Sequence, residues 1–289
     1  MHETPIALPT HSPDALLPSE MAHRAEEIGK AKVERDAFSM FVLAVLAGAF
    51  IAWGGVFYTV VTTTGTVSLP FGVTKLLGGL AFSLGLILVI IGGAELFTGN
   101  NLIVMALASG RIKARQLLRN WILVYTGNFV GAVGVAILVY LAGVPEQAEG
   151  QVGEAMRHIA SNKCSLAWSH AIAAGIGCNL LVCLAIWLCF SARSVADKVL
   201  AIVFPITAFV ATGMEHCVAN MYFIPMGMLT EISSSGNDES VISIGNFVWN
   251  NLLPVTIGNI IGGTLLVGMV YWFVYLRLDD TRNKRSETK

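Results

Sequence analysis

The sequence predicts an all-α integral membrane protein with six transmembrane helices, arranged as two inverted repeats of three helices. Three observations predict this class. Of the 289 residues, 55% are hydrophobic and only 13% are charged, about half the charged fraction of a soluble domain. Six apolar segments are each long enough to cross a bilayer, which takes about 20 residues. Short motifs also recur in the same order in both halves of the chain.

The N-terminal region, residues 1–36, is predicted to be a cytoplasmic tail that contains one amphipathic helix. It has no apolar signal-peptide core, so the first span is expected to direct membrane insertion. The helix is expected over Ser19–Asp36, with Ser19 as its cap. Its apolar face could lie on the membrane surface or beneath the membrane domain, and a solvated helix is an equal alternative. The residues predicted for that face are Met21, Ala25, Ile28 and Ala31.

The membrane domain is predicted over residues 37–276, followed by a basic cytoplasmic tail at 277–289. The second and fifth spans are interrupted by polar residues, and the sixth is expected to begin with an interfacial turn near Asn246–Pro254. The six predicted spans are residues 37–61, 71–109, 120–143, 165–190, 199–228 and 241–276.

Positive charge predicts the orientation of these spans. Fifteen of the 18 lysine and arginine residues fall in the two tails and in the loops after spans two and four. The opposite side has only Lys75, Arg157 and Lys163. Because loops rich in lysine and arginine stay in the cytoplasm, both termini are expected there.

The two halves of the chain repeat three motifs. Gly93-x-Glu95 matches Gly213-x-Glu215, and Gly127-Asn-x-x-Gly131 matches Gly258-Asn-x-x-Gly262. We also align the segment 44–48 with the segment 171–175. Each half contains three spans, an odd number, so the halves must insert with opposite orientations.

The interruptions place polar groups at the depth where a membrane helix should be apolar. Glu95 and Glu215 are the acids inside the spans, and each could hold its break through backbone hydrogen bonds or contact a substrate. His216 can exchange a proton near neutral pH, so we interpret it as a pathway residue. A satisfied core histidine is the alternative. Thr98 in the other break could hand a polar substrate to His216, or bond only to its own backbone.

Large apolar side chains flank both breaks, where they could form constrictions that exclude hydrated ions; ordinary packing is the alternative. They are Phe82, Leu86, Leu96, Phe97 and Phe209. Lys163, at the expected outer mouth, could attract an anion or simply mark a solvated edge.

Other classes of protein fit poorly. The net charge of −1 does not favour nucleic-acid binding. The five cysteines lack metal-ligand spacing, and neither a metal site nor a cofactor is predicted. An intramembrane hydrolase could use Ser83 with His216 as base, but the first glycine of a Gly-x-Ser-x-Gly motif is absent. Neither break contains the Asn-Pro-Ala sequence of a water channel.

At the breaks the sequence resembles the formate/nitrite transporter family, over nearly the whole chain. The segments that carry the resemblance are 69–72 with 75–79, Glu95-Leu-Phe-Thr98, Glu215-His216 through Met221, Ile224-Pro-Met-Gly227 and Pro254 to Asn259. Leu69-Pro-Phe-Gly72 and Ile224-Pro-Met-Gly227 look like the formate branch. By contrast, Thr98-Gly-Asn-Asn101 is less rich in serine and threonine than that branch.

The resemblance implies an aquaporin-like fold, a homopentamer with one pore per protomer, and residence in the bacterial cytoplasmic membrane. It implies that Thr98 and His216 form the central polar pair, that Glu215 orients the histidine, and that Asn179 and Lys163 are polar residues of the fourth-span region. Phe82, Leu86, Leu96 and Phe209 would correspond to constriction residues.

We therefore predict a channel or proton-linked transporter for formate that works without enzymatic chemistry. Protons and membrane lipid are its other expected partners. Nitrite or another small monovalent anion, such as hydrosulfide, is the alternative substrate.

Overall fold

The computed structural model describes residues 15–63, 69–232 and 242–278. All regular secondary structure in these ranges is helical. Residues 1–14 and most of the predicted C-terminal tail lie outside them. In chain order the helices are α1 (Pro18–Glu34), α2 (Ala37–Thr62), α3 (Phe71–Gly92), α4 (Val104–Ala108), α5 (Ala114–Leu141), α6 (Gln151–Cys164), α7 (Trp168–Ser191), α8 (Val195–Ala211), α9 (Cys217–Ile232) and α10 (Ile244–Tyr275).

Five helices of the described part of the chain are long and apolar enough to cross a membrane, namely α2, α3, α5, α7 and α10. The shortest of them, α3, has 22 residues and spans about 33 Å at 1.5 Å per residue. Roughly half of each helix is buried, while large apolar side chains such as Leu141 and Phe273 remain exposed. An apolar outer surface of this kind matches a lipid environment and confirms the predicted all-helical membrane class.

Two non-helical segments occur where the sequence places its polar breaks. Helix α3 ends at Gly92, and a 3₁₀ turn over Gly99–Ile103 leads into α4. Helix α8 ends at Ala211, and α9 begins at Cys217. Gly93 and Gly213 follow the two helix ends with φ of 75° and 73°, a left-handed conformation that glycine adopts without strain.

Helix α1 packs beneath the membrane helices, which excludes the alternative of a solvated helix. Its buried face contains Met21, Ala22 and Ala25, which contact Met105, Trp187 and Leu276. The predicted face was rotated, because Ala31 is exposed. The predicted cap was also wrong: Ser19 lies inside the helix, and the Glu20 carboxylate accepts the Leu17 N–H at 2.7 Å.

Several predicted boundaries differ from the structure, and the start of the third span differs most. Helix α5 begins at Ala114 rather than 120, because polar residues such as Gln116 extend it beyond its apolar part. The Gln116 side chain accepts the Lys113 N–H at 2.9 Å. No turn interrupts the start of α10, which instead contains π-helical stretches over Phe247–Leu252 and Ile261–Met269.

Small residues allow two pairs of helices to approach closely. A Cβ atom on Gly131 of α5 would run into the Val45 carbonyl oxygen of α2. A Cβ atom on Gly262 of α10 would likewise meet the Ile176 carbonyl oxygen of α7. Contact of backbone with backbone at this distance is how membrane helices associate without a hydrophobic driving force.

Candidate functional site

Thr98 and His216 meet in the interior of the protein, although 118 residues separate them in sequence. Thr98 Oγ1 lies 2.9 Å from His216 Nε2, and both residues are buried. His216 Nδ1 accepts the backbone N–H of Ala219 at 3.1 Å, so a neutral ring carries its hydrogen on Nε2. The imidazole therefore donates to the Thr98 oxygen, and Thr98 keeps its own hydroxyl hydrogen for another acceptor.

Aromatic rings enclose the imidazole on one side. The Phe209 ring stacks on His216 with centroids 6.1 Å apart, and Phe82 meets Phe209 edge to face at 5.7 Å. Phe223 stacks on Phe82 at 6.5 Å. Of the residues predicted to form a constriction, Phe209 thus lies directly beside the histidine, and Phe82 lies behind Phe209 in the same cavity wall.

Two cavities approach the site from opposite ends of α3. The first, of about 330 Å³, is lined by Lys32, Glu95 and Leu96 and lies next to α1; we name it the α1-side cavity. The second, of about 220 Å³, is lined by Lys75 and His216 and lies next to α6; we name it the α6-side cavity.

Lys163 lines the α6-side cavity but is not a free cation. Its Nζ donates to both carboxylate oxygens of Glu215, at 2.8 and 2.9 Å. Asn220 and Asn251 also donate to Glu215, at 2.7 and 3.4 Å. The Glu215 carboxylate is therefore occupied by these three side chains. Among the described hydrogen bonds, none joins Glu215 to the His216 side chain. The imidazole is oriented instead by Ala219 and Thr98.

The α1-side cavity has a matching carboxylate cluster, which the sequence analysis missed. Lys32 Nζ donates to Glu95 and to Asn100, both at 2.8 Å. Asn100 in turn donates to Glu95 at 2.8 Å and to Asn120 at 2.9 Å. The available signal was spacing: Asn100 and Asn220 are 120 residues apart, as are the two glutamates, and Lys32 and Lys163 are 131 apart.

Asparagine side chains, rather than the glutamates, hold the backbone of the two breaks. Asn128 accepts the Phe97 N–H at 2.9 Å and donates to the Ala44 and Glu95 carbonyls at 2.7 and 2.9 Å. Asn259 accepts the Cys217 N–H at 2.9 Å.

Asn259 also donates to the Gly175 and Glu215 carbonyls, at 2.8 and 2.9 Å. The expectation that Glu95 and Glu215 accept these backbone donors was wrong. The pairing of segment 44–48 with 171–175 was displaced by one helical turn, because Ala44 and Gly175 occupy equivalent places.

The other residues predicted for the site lie outside the Thr98–His216 pair and the Glu215 cluster. Asn179 donates to the Thr98 carbonyl at 3.3 Å and to Asn259 O at 2.7 Å, so it supports the break. Leu86 and Leu96 are buried, and Leu96 lines the α1-side cavity. Phe97 points towards α5, where its ring contacts Tyr125 at 4.9 Å, and it lines neither cavity.

Comparison of the whole chain with known proteins finds one family. The family model "Formate/nitrite transporter" matches residues 19–273. The formate channel FocA of Escherichia coli K12 is 47% identical over 277 residues, covering 92% of this chain and 97% of the relative. FocA of Haemophilus influenzae is 42% identical over 265 residues, covering 88% and 93%. A solved structure described as a pentameric formate channel with formate bound has a TM-score of 0.76 at 45% identity, covering 83% of this chain and 98% of that one.

Proposed function

Because this chain belongs to the formate/nitrite transporter family, we propose that it conducts formate across a membrane. The protein is a channel or transporter and not an enzyme. The observation that carries the substrate proposal is the Thr98–His216 hydrogen bond at 2.9 Å, set between two cavities. It leaves one hydroxyl hydrogen free to bind a small anion. The hydrolase alternative finds no support, since Ser83 is buried and donates to the Gly79 carbonyl at 3.0 Å.

We propose that formate passes from one cavity to the other past Thr98 and His216. Phe82, Leu86, Leu96 and Phe209 would form the constrictions that exclude hydrated ions. Lys163 and Glu215 would set the charge of one mouth as a pair, with Asn179 as structural support. Phe97 is left out of the constriction in this proposal, because it packs on α5.

We further propose that the chain makes six crossings, as two inverted repeats with an aquaporin-like arrangement. In this arrangement, α8 and α9 together make the fifth crossing. The segment from α3 to α4 would be the broken second span. Support comes from equivalent contacts, since Asn128 and Asn259 bind their breaks through the same set of hydrogen bonds. Tyr125 also bonds to Thr256, its counterpart 131 residues later, at 2.9 Å.

The assembly and location follow the family. We propose a homopentamer with one pore in each protomer, residing in a bacterial cytoplasmic membrane and surrounded by lipid. Both termini would be cytoplasmic, with residues 37–276 as the channel domain. The charge bias of the loops supports this orientation.

Proton linkage through His216 is also part of the proposal. An imidazolium would carry its second proton on Nδ1, the atom that now accepts the Ala219 N–H. Protonation must therefore break that bond, which couples the charge of His216 to the first turn of α9. Neutralising the anion as it passes the aromatic rings would lower the cost of burying its charge.

Uptake of labelled formate, nitrite, hydrosulfide and acetate into proteoliposomes tests the substrate proposal. We expect formate to enter faster than acetate, because the narrow site beside Phe82 and Phe209 favours a small anion. We also expect it to enter faster than nitrite or hydrosulfide, because the compared relatives are formate channels. Faster uptake of nitrite or hydrosulfide would replace formate by that anion. Osmotic swelling without anion uptake would contradict an anion pathway altogether.

A further inference from the structure

The α1-side cavity has a strongly basic lining. Four basic side chains line it, and Glu95 is the only acidic residue among the described residues of the lining. The net formal charge is therefore +3. The basic residues are Arg24, Lys32, Arg35 and Lys198.

Two of these cations form ion pairs with the same carboxylate, that of Glu95. Lys32 Nζ lies 2.8 Å from Glu95 Oε2, and Arg35 Nη1 lies 3.5 Å from Glu95 Oε1. Arg24 and Lys198 have no carboxylate within ion-pair distance in the part of the chain that the structure describes. Lys198 is half-buried at the start of α8, where it adds to the field inside the cavity.

Apolar side chains make up most of the buried part of the cavity lining. Val89, Leu96 and Ile186 line the cavity and are almost fully buried. Because the cost of moving charge into apolar surroundings rises steeply with the number of charges, a multivalent anion would stop at these side chains.

The α6-side cavity lacks this excess. Lys75, Lys163 and Glu215 give it a net formal charge of +1, and Lys163 is bound by both oxygens of Glu215. It is also smaller, at about 220 Å³ against about 330 Å³. A compact multivalent anion thus has a complementary site at one end of the pathway only.

We propose that the α1-side cavity binds a compact anion with two or more negative charges, such as pyrophosphate, which enters but does not cross and so blocks formate flow from that side. Arginine supports this class of ligand, because its planar fork suits phosphate oxygens. The block rests on the proposed function, whereas the binding does not.

The test combines binding with conduction. Isothermal titration of pyrophosphate into the purified full-length protein, in magnesium-free buffer, measures binding without reference to formate. Formate current across a planar bilayer, with pyrophosphate added to either side, measures block. We expect saturable binding that weakens with added salt, and block from one side only.

Two variants and a control assign the site. Lys198→Gln and Arg24→Gln should each weaken pyrophosphate binding and block roughly threefold, the range of one partly exposed charge pair. Lys113→Gln removes the same charge from an exposed residue near the same end, outside the cavity, and should change neither.

Three results would overturn the inference: no saturable binding of pyrophosphate by calorimetry or equilibrium dialysis, equal block from both sides, or variants that match Lys113→Gln. Pyrophosphate binding in a protein that shows neither formate current nor formate uptake into proteoliposomes would instead reject the proposed function and leave this site standing.

Discussion

At the residue scale, the position of one proton organises the site. Because Nδ1 of His216 accepts a backbone N–H, the neutral imidazole can only donate through Nε2 towards Thr98. The neighbouring Glu215 does not share in this arrangement, since its carboxylate is bound by Lys163 and two asparagines. Two residues adjacent in sequence therefore have separate tasks.

His216→Asn is expected to abolish the pH-stimulated part of formate uptake and to leave a slow, pH-insensitive leak. Asparagine keeps the polarity of the site but cannot exchange a proton. Initial uptake rates in proteoliposomes at external pH of about 5.5 and about 7.5, on either side of the ordinary histidine range, give the ratio to compare. His170→Asn, at an exposed position of α7, is the control and should keep the wild-type ratio. A His216→Asn protein that also keeps that ratio would show that the histidine acts only as a neutral donor.

Phe209→Ala is expected to increase acetate uptake relative to formate. The ring stacks on His216 and meets Phe82, so its removal should widen the narrow part of the pathway. The matched control is Phe97→Ala, which removes an equally buried ring that packs on α5. An acetate-to-formate ratio that is the same in both variants would assign Phe209 to packing and place the constriction elsewhere.

At the element scale, paired asparagines let helices end inside an apolar region. A helix end leaves backbone N–H and C=O groups without partners, and no water in the bilayer core can satisfy them. Asn259 satisfies two such groups at the break, the Cys217 N–H and the Glu215 carbonyl. It also donates to the Gly175 carbonyl inside α7. Asparagine hydrogen bonds therefore hold the two non-helical segments in fixed conformations, unlike loosely packed loops.

Asn259→Leu should destabilise the protein by about 3 kcal/mol or more, because each buried unsatisfied polar group costs about 1–3 kcal/mol. The loss of folded protein with temperature in detergent, followed by size-exclusion chromatography, measures the effect. Asn250→Leu is the matched control, since the Asn250 side chain bonds only to Asn246 within α10 among the described contacts. Equal stability of the two variants would mean that other groups or water replace the Asn259 bonds.

Gly131→Ala should separate α2 from α5 and cost about 1–3 kcal/mol or more, the range for an overpacked core. The added methyl group would collide with the Val45 carbonyl oxygen, a backbone atom that cannot move alone. Gly134→Ala makes the same change one turn later, where nothing lies within 4 Å of the new Cβ. That control should melt at or slightly above the wild-type temperature, because alanine favours the helix. If the two variants melt together, the close approach of α2 and α5 is not required.

At the scale of the whole molecule, the outer surface matches the proposed surroundings. Large apolar side chains are exposed along the membrane helices, while the polar groups of the site lie inside. Because one chain contains both cavities and the Thr98–His216 pair, the proposed pathway would lie within one chain. Assembly would then serve stability and packing in the membrane rather than completion of the site.

We expect the intact protein in mild detergent to be a pentamer, with a mass five times that of the 30.9 kDa protomer. Native mass spectrometry measures this directly. A monomer or dimer that persists across several detergents and retains formate transport in liposomes would contradict the pentamer.

Much of this protein could be predicted from its sequence. Long apolar segments with little charge can be stable only in a bilayer, so the all-helical membrane class followed from composition, and the motifs at the breaks identified the family. The positions of helix ends were harder to predict, because polar residues extend α5 beyond its apolar part and the first residues of α1 cap it differently from expectation.

The side-chain partners depended on the tertiary structure. The packing of the helices decides whether Lys163 faces an anion or Glu215, and whether Phe97 faces a cavity or α5. Local sequence does not predict which helices pack together. The same holds for the bond between Thr98 and His216, which joins residues 118 positions apart. Sequence determined which polar groups lie at membrane depth, since their cost there demands partners. Only the packing of distant helices decided which partners they have.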